Sequence, residues 1–308
     1  MGSTLEAEAG AESPAHRPLV YSVWGKGGVG KSTIASALAL LLSRRGLRTA
    51  LVSTDPFPSI VEVLGGGEPG EWSRVCGIDV LVVTEELAAR EWRRELGDQV
   101  YQLFSTLFDV DRETLLEYLS QAPWVLEQYY ILIVARASRS YDAVVWDTAG
   151  AGGGILMLHL EEKLYRHLRL APRIYSKLRL RGGASVDRIV SEWLRLAEEA
   201  LDIIHSPSHH PLLVVDVLSG VYQLHLAEQL ERLGVYPKTV VVNRVLENET
   251  CSNLQALCEE ARRVARGALA LAERLGAAVA TLPLLAEPPR GCQRLERLAD
   301  YLEAMITQ

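Results

Sequence analysis

Short β-rich apolar runs alternate along the chain with stretches whose apolar positions recur every three to four residues. Runs of this kind, bounded by turn residues, belong to strands buried on both faces, and their alternation with helical patterns predicts a parallel sheet covered on each side. Strands are expected at Leu19–Trp24, Thr49–Ser53, Ile78–Val83, Ala143–Trp146, Leu212–Leu218, Thr239–Asn243 and Ala278–Leu282. Helical runs at Lys31–Arg45, Leu224–Leu233 and Cys251–Leu275 are followed by Gly46, Gly234 and Gly276, where a left-handed residue ends a helix.

Two stretches break the alternation. About three helices fill residues 85–139 between strands, and residues 154–210 make a second helical insertion rich in Leu, Arg and Glu. Leu156, Leu160 and Leu164, with Leu168 one turn on, lie at helical spacing. Two arrangements stay open: helices packed on the sheet, or helices projecting together as a subdomain with its own apolar surface.

The first strand runs into Gly25-Lys26-Gly27-Gly28-Val29-Gly30-Lys31-Ser32-Thr33, a P-loop followed by a helix. Its glycines let backbone N–H groups turn inward around phosphates, and the helix points its positive end at the anion. Lys31 is expected on the β- and γ-phosphates of ATP and Ser32 on Mg²⁺. The fold class is therefore α/β: a doubly wound, mostly parallel P-loop core spanning residues 18–308, with helical insertions at about 85–139 and 154–210.

Three further strand ends carry candidate chemistry. Ser53-Thr54-Asp55-Pro56 lies at the end of the second strand, and Asp55 there either orients the attacking water or is the N-cap of a following helix. Val144–Trp146 ends in Asp147-Thr148-Ala149-Gly150, a carboxylate placed to touch Mg²⁺ directly or through water. Four glycines in the five positions from Gly150 to Gly154 give this second switch little intrinsic order, so γ-phosphate is expected to order it. Val240–Val242 ends in Asn243-Arg244, where the Asn amide either pairs an adenine edge or caps a turn, and Pro283 and Leu284 could pack on the base.

Composition changes this picture in a few places. A net charge of −7 gives no broad footprint for nucleic acid, although arginines cluster between Arg166 and Arg181. Only five lysines occur in 308 residues, and two of them, Lys26 and Lys31, stand in the P-loop. Residues 1–17 read as a disordered lead-in, and no run approaches the ~18 apolar residues that span a bilayer, so a cytoplasmic protein with mostly reduced thiols is expected. Cys76, Cys251, Cys258 and Cys292 are scattered. On one continuous helix Cys251 and Cys258 would lie ~10 Å apart, too far to share a zinc. His209-His210 reads as part of a solvated loop.

These signals together resemble the deviant-Walker-A ATPases, most of all the branch that holds arsenite-pump ATPases and the guided-entry targeting factors for tail-anchored membrane proteins. The residues that carry the resemblance are 25–33, Ser53-Thr54-Asp55-Pro56, Asp147-Thr148-Ala149, Val241-Val242-Asn243-Arg244, and Pro283-Leu284-Leu285-Ala286-Glu287-Pro288-Pro289-Arg290-Gly291. The match runs roughly from Leu19 to Leu302 and weakens in the insertions. It implies a homodimer with facing nucleotides, Lys26 reaching the partner's phosphates, Asp55 positioning water, Ser32 on Mg²⁺, Asp147 anchoring the second switch and Asn243 reading adenine. In the targeting factors it also implies a transmembrane-segment client and a membrane receptor. This chain departs in three ways: Cys251 begins no C-x-x-C pair, the second switch continues Gly150-Ala151-Gly152-Gly153-Gly154, and Met157 is the one methionine of the second insertion. A single P-loop and dispersed cysteines favour ATP-driven targeting over arsenite or antimonite efflux; a regulatory or assembly ATPase is the third reading.

Overall fold

The computed structural model describes residues 18–57, 59–105, 109–175, 183–246, 251 and 254–306. The expected lead-in at 1–17, and part of the arginine cluster at 176–182, lie outside the described residues. Eight strands form one sheet: β1 (Leu19–Trp24), β2 (Thr49–Ser53), β3 (Ser73–Val75), β4 (Ile78–Val82), β5 (Ala143–Asp147), β6 (His209–Asp216), β7 (Thr239–Val245) and β8 (Ala278–Pro283). Their spatial order is β3-β4-β2-β5-β1-β6-β7-β8. Every pair is parallel except the β3–β4 hairpin at one edge. The sequence pattern missed β3, because three half-exposed residues show no apolar run.

Alternate residues along each central strand feed opposite cores, as the pleat requires. On one face Val23, Leu51, Val145 and Val214 pack under α1 (Lys31–Arg44), α2 (Ser59–Leu64) and α10 (Cys292–Ile306). The α1 segment Ile34–Leu42 is buried throughout, so this helix is a core element rather than an amphipathic one. On the other face Trp24, Val52, Trp146 and Val215 pack under α3 (Glu85–Ser105), α5 (Pro123–Ala137), α6 (Ala151–Tyr175), α7 (Gly183–His205), α8 (Leu226–Arg232) and α9 (Gln255–Leu275). The short α4 (Arg112–Ser120) contributes Leu116 and is capped by Asp111, whose carboxylate accepts the Thr114 N–H. Of the two arrangements for the insertions, the described helices adopt the first: Trp92, Leu96, Tyr129, Leu158 and Leu196 share one continuous core with the sheet.

Three expectations are corrected. His209 and His210 begin β6 rather than sitting in a loop, and His209 is buried. Burial is tolerated because all its polar atoms are matched: Nδ1 lies 2.8 Å from the Ile204 carbonyl and Nε2 lies 2.7 Å from Ser22 Oγ, which also accepts the Trp24 Nε1–H. The cysteines are not dispersed thiols. Cys76 pairs with Cys292 across 216 residues, and Cys251 pairs with Cys258 at a Cα separation of 5.7 Å. The ~10 Å spacing assumed one helix, but α9 starts at Gln255 and Cys251 lies on a tighter turn before it. Finally, the glycine-rich segment after Asp147 is ordered as the first turn of α6.

Candidate active site

The β1, β2 and β5 strands end side by side, with Val23, Ser53 and Asp147 in register, and their following loops meet at the carboxyl edge where open α/β sheets bind ligands. The P-loop leaves β1 at Gly25, where a Cβ would lie 2.8 Å from Val29 Cγ2 and 2.9 Å from the Val214 carbonyl. Only glycine fits between the loop and β6. Gly28 and Gly30 take positive φ (80° and 98°), which a side chain would resist. Lys31 opens α1 and is buried, with Nζ 3.4 Å from the Lys26 carbonyl, so its ammonium folds back over the loop. Ser32 and Thr33 are half-buried beside it, while Lys26, Gly27 and Gly28 form an exposed tip and Val29 packs in the core.

Asp147 is fully buried. Burial pushes its carboxyl up to about 6, against Lys31, Ser32 and Ser53, which each favour the charged form. Ser53 donates to its Oδ2 at 3.1 Å. Its Oδ1 makes no hydrogen bond of ordinary geometry, although Ser32 is close enough to help hold the charge.

Asp55 is half-buried at the same edge. Its Oδ1 accepts the Phe57 N–H at 3.0 Å in an Asx turn. It does not cap α2, which begins at Ser59. The two switch loops are tied to each other and to the P-loop: Thr54 N–H donates to the Asp147 carbonyl, Trp146 Nε1–H to Thr54 Oγ1, Thr148 Oγ1–H to the Val23 carbonyl, and Ala151 N–H to the Gly25 carbonyl. Gly154 is where α6 meets Trp24; a Cβ there would lie 3.0 Å from the indole.

A cavity of about 190 Å³ opens beyond the P-loop, lined by Gly30, Thr33, Asn243, Arg244, Pro283 and Leu284 among others. Asn243 and Pro283 thus reach the same pocket as the loop. The Asn243 amide is partly committed, Nδ2 to the Val29 carbonyl at 2.8 Å and Oδ1 to the Arg244 N–H at 2.9 Å. The Ser53–Asp147 contact and the pairing of buried Asp216 with partly exposed Arg244 were not foreseen, since nothing in the sequence reveals cross-strand register.

A doubly wound sheet with a P-loop and carboxylates at the adjoining strand ends defines a nucleotide-binding P-loop protein. The family model described as anion-transporting ATPase (ArsA ATPase) matches residues 20–203, more than half of the chain, and the chain belongs to that family. It is an ATPase, and membership of that family implies that it binds ATP. A protein of Aquifex aeolicus named as an arsenical pump-driving ATPase is 27% identical over 74% of this chain and 80% of its own length. One of Halobacterium salinarum, similarly named, is 26% identical over 94% of this chain and 45% of its own length. The arsenical pump-driving ATPase of Acidiphilium multivorum is 29% identical over 72% of this chain and 38% of its own. The chain therefore spans less than half the length of the latter two.

Proposed function

We propose that the chain hydrolyses Mg²⁺-ATP at this edge as a nucleotide-sandwich homodimer and that the hydrolysis drives export of an arsenical anion through a membrane partner. The observation that carries the site is Asp147: a fully buried carboxylate whose Oδ1 has no hydrogen bond of ordinary geometry, next to Lys31 and Ser32. Such an atom is costly to bury unless something occupies it, and Mg²⁺ or its water fits. Ser32 and Asp147 would hold the ion, which neutralises charge on the phosphates. Lys31 binds the β- and γ-phosphates, Asp55 orients the attacking water, and exposed Lys26 reaches the partner's nucleotide.

The arsenical cargo is supported by the names of the relatives and by the family. Cys251 and Cys258 are neighbours rather than dispersed, but they are joined as a disulfide, so they offer arsenic a pair of thiolates only after reduction. A second reading, ATP-driven capture of a tail-anchored client, is favoured by one observation: Leu156 and Leu170, four turns apart on α6, are about half exposed (52% and 49%).

The two separate in one experiment. Turnover of the purified chain is measured with and without trivalent arsenic, and the Asp55→Asn chain is co-expressed with a tagged protein ending in one transmembrane segment. Arsenic-stimulated turnover without co-purification supports the pump reading. A soluble complex that needs the segment, with turnover indifferent to arsenic, replaces it with the targeting reading.

A further inference from the structure

Asn243 does more in this geometry than reading a base requires. The β7–β8 ladder pairs Val242 with Thr281 and then Val245 with Pro283, so two residues of β7 oppose one of β8 in a bulge at Asn243–Arg244. Arg244 sits at φ 58°, an uncommon conformation for a non-glycine residue. Its guanidinium bonds buried Asp216 at 2.9 Å, and the Asp216 carboxylate also accepts the Leu218 N–H and the Ser219 hydroxyl. This anchor fixes the bulge, and the bulge turns the Asn243 amide back on the P-loop.

There Nδ2 donates to the Val29 carbonyl at 2.8 Å. The Val29 carbonyl and the Gly30 N–H belong to one planar trans peptide, so they point in opposite directions. Holding the carbonyl on the Asn243 side aims the Gly30 N–H to the other. Gly30 is fitted to the same contact: a Cβ on it would lie 2.6 Å from Asn243 Nδ2.

We infer that Asn243 is a positioning residue for the phosphate-binding loop, one that orients the Val29–Gly30 peptide and so acts on the triphosphate whether or not a base is present. The inference rests on the nucleotide site proposed above. A residue that only reads adenine contributes nothing to a ligand without a base, and this difference is measurable.

The test is calorimetric titration of the full chain, well below its unfolding temperature, with inorganic tripolyphosphate and with ATP, both with Mg²⁺. Asn243→Ala should bind tripolyphosphate about 3- to 10-fold more weakly than the natural chain, the loss of one net hydrogen bond. Asn243→Asp keeps the size and the acceptor for Arg244 but sets an oxygen against the Val29 carbonyl. It should lose at least as much, and it carries the test if the alanine variant does not fold. Unchanged tripolyphosphate affinity with weakened ATP would overturn the inference and leave Asn243 as a base reader. A natural chain that binds neither ligand would overturn the nucleotide site, and the inference with it.

Discussion

Replacing His209 with Gln should flatten the acid limb of the stability curve. His209 is buried, and its bonds define one tautomer: Nδ1–H donates to the Ile204 carbonyl, so Nε2 must accept from the Ser22 hydroxyl. A proton arriving on Nε2 meets the Ser22 oxygen that already accepts from Trp24, and the hydroxyl hydrogen must find another partner. Burial pulls the imidazole down from 6.5 to about 4. Between those values the unfolded chain holds a proton that the folded chain lacks, so the contribution is complete above pH 6.5 and declines as pH falls to about 4. The gap of about 2.5, at about 1.4 kcal/mol per pH unit, sets the loss at about 3 kcal/mol. Urea unfolding followed by tryptophan fluorescence at steps from pH 7.5 to 4 would measure it. The difference between natural chain and His209→Gln isolates this histidine, because half-buried His210 and the carboxylates titrate in both. Parallel curves across this range would refute the tautomer and burial argument.

Glu161 gives the opposite slope. It is buried on α6 with Gln128 Nε2 as its hydrogen-bond partner at 3.3 Å, and burial raises its carboxyl to about 8. Its stabilisation is present below pH 4.5 and lost as pH rises through 8, so Glu161→Gln should be more stable than the natural chain at pH 8.5, by roughly 2–4 kcal/mol in the same assay. Gly154→Val should destabilise by about 1–3 kcal/mol through overpacking against Trp24, read as a lowered thermal midpoint; an unchanged midpoint would mean that α6 can move aside. Lys26→Ala should lower turnover and ATP-dependent dimerisation together, checked by sedimentation with and without nucleotide; turnover lost with dimerisation intact would confine Lys26 to its own subunit's site.

Much of the architecture was legible because central parallel strands announce themselves. The β1, β2 and β5 segments are mostly apolar, with Ser22, Thr49, Ser53 and Asp147 as the polar exceptions, since both faces are covered, and each leads into its chemical signature. The P-loop glycines could be read as requirements, and at Gly25 and Gly30 the collisions a Cβ would meet supply the reason. Contacts between distant segments were not legible. His209-His210 reads as polar, and only the approach of Ser22 and of the Ile204 carbonyl shows how His209 can be buried. The run Gly150–Gly154 reads as disordered by composition, yet α6 begins within it because the Ala151 N–H is held by the Gly25 carbonyl and Trp24 needs the space at Gly154. Cysteine pairing across 216 residues depends on the β3–β4 edge meeting the start of α10, which no local pattern encodes.

In the proposed mechanism ATP is hydrolysed where Lys31, Asp55 and Asp147 meet, with Asp55 acting on water as well as holding its own turn. The most direct measurement is ATP affinity and single-turnover phosphate release for Asp55→Asn beside the natural chain. The Asn side chain can keep the Oδ1 bond to the Phe57 N–H, so the loop should stay in place. ATP affinity should hold, and release should slow by at least ~10²-fold, the scale of a lost positioning contact. Release at the natural rate, with affinity intact, would contradict the account and leave Asp55 as the anchor of an Asx turn.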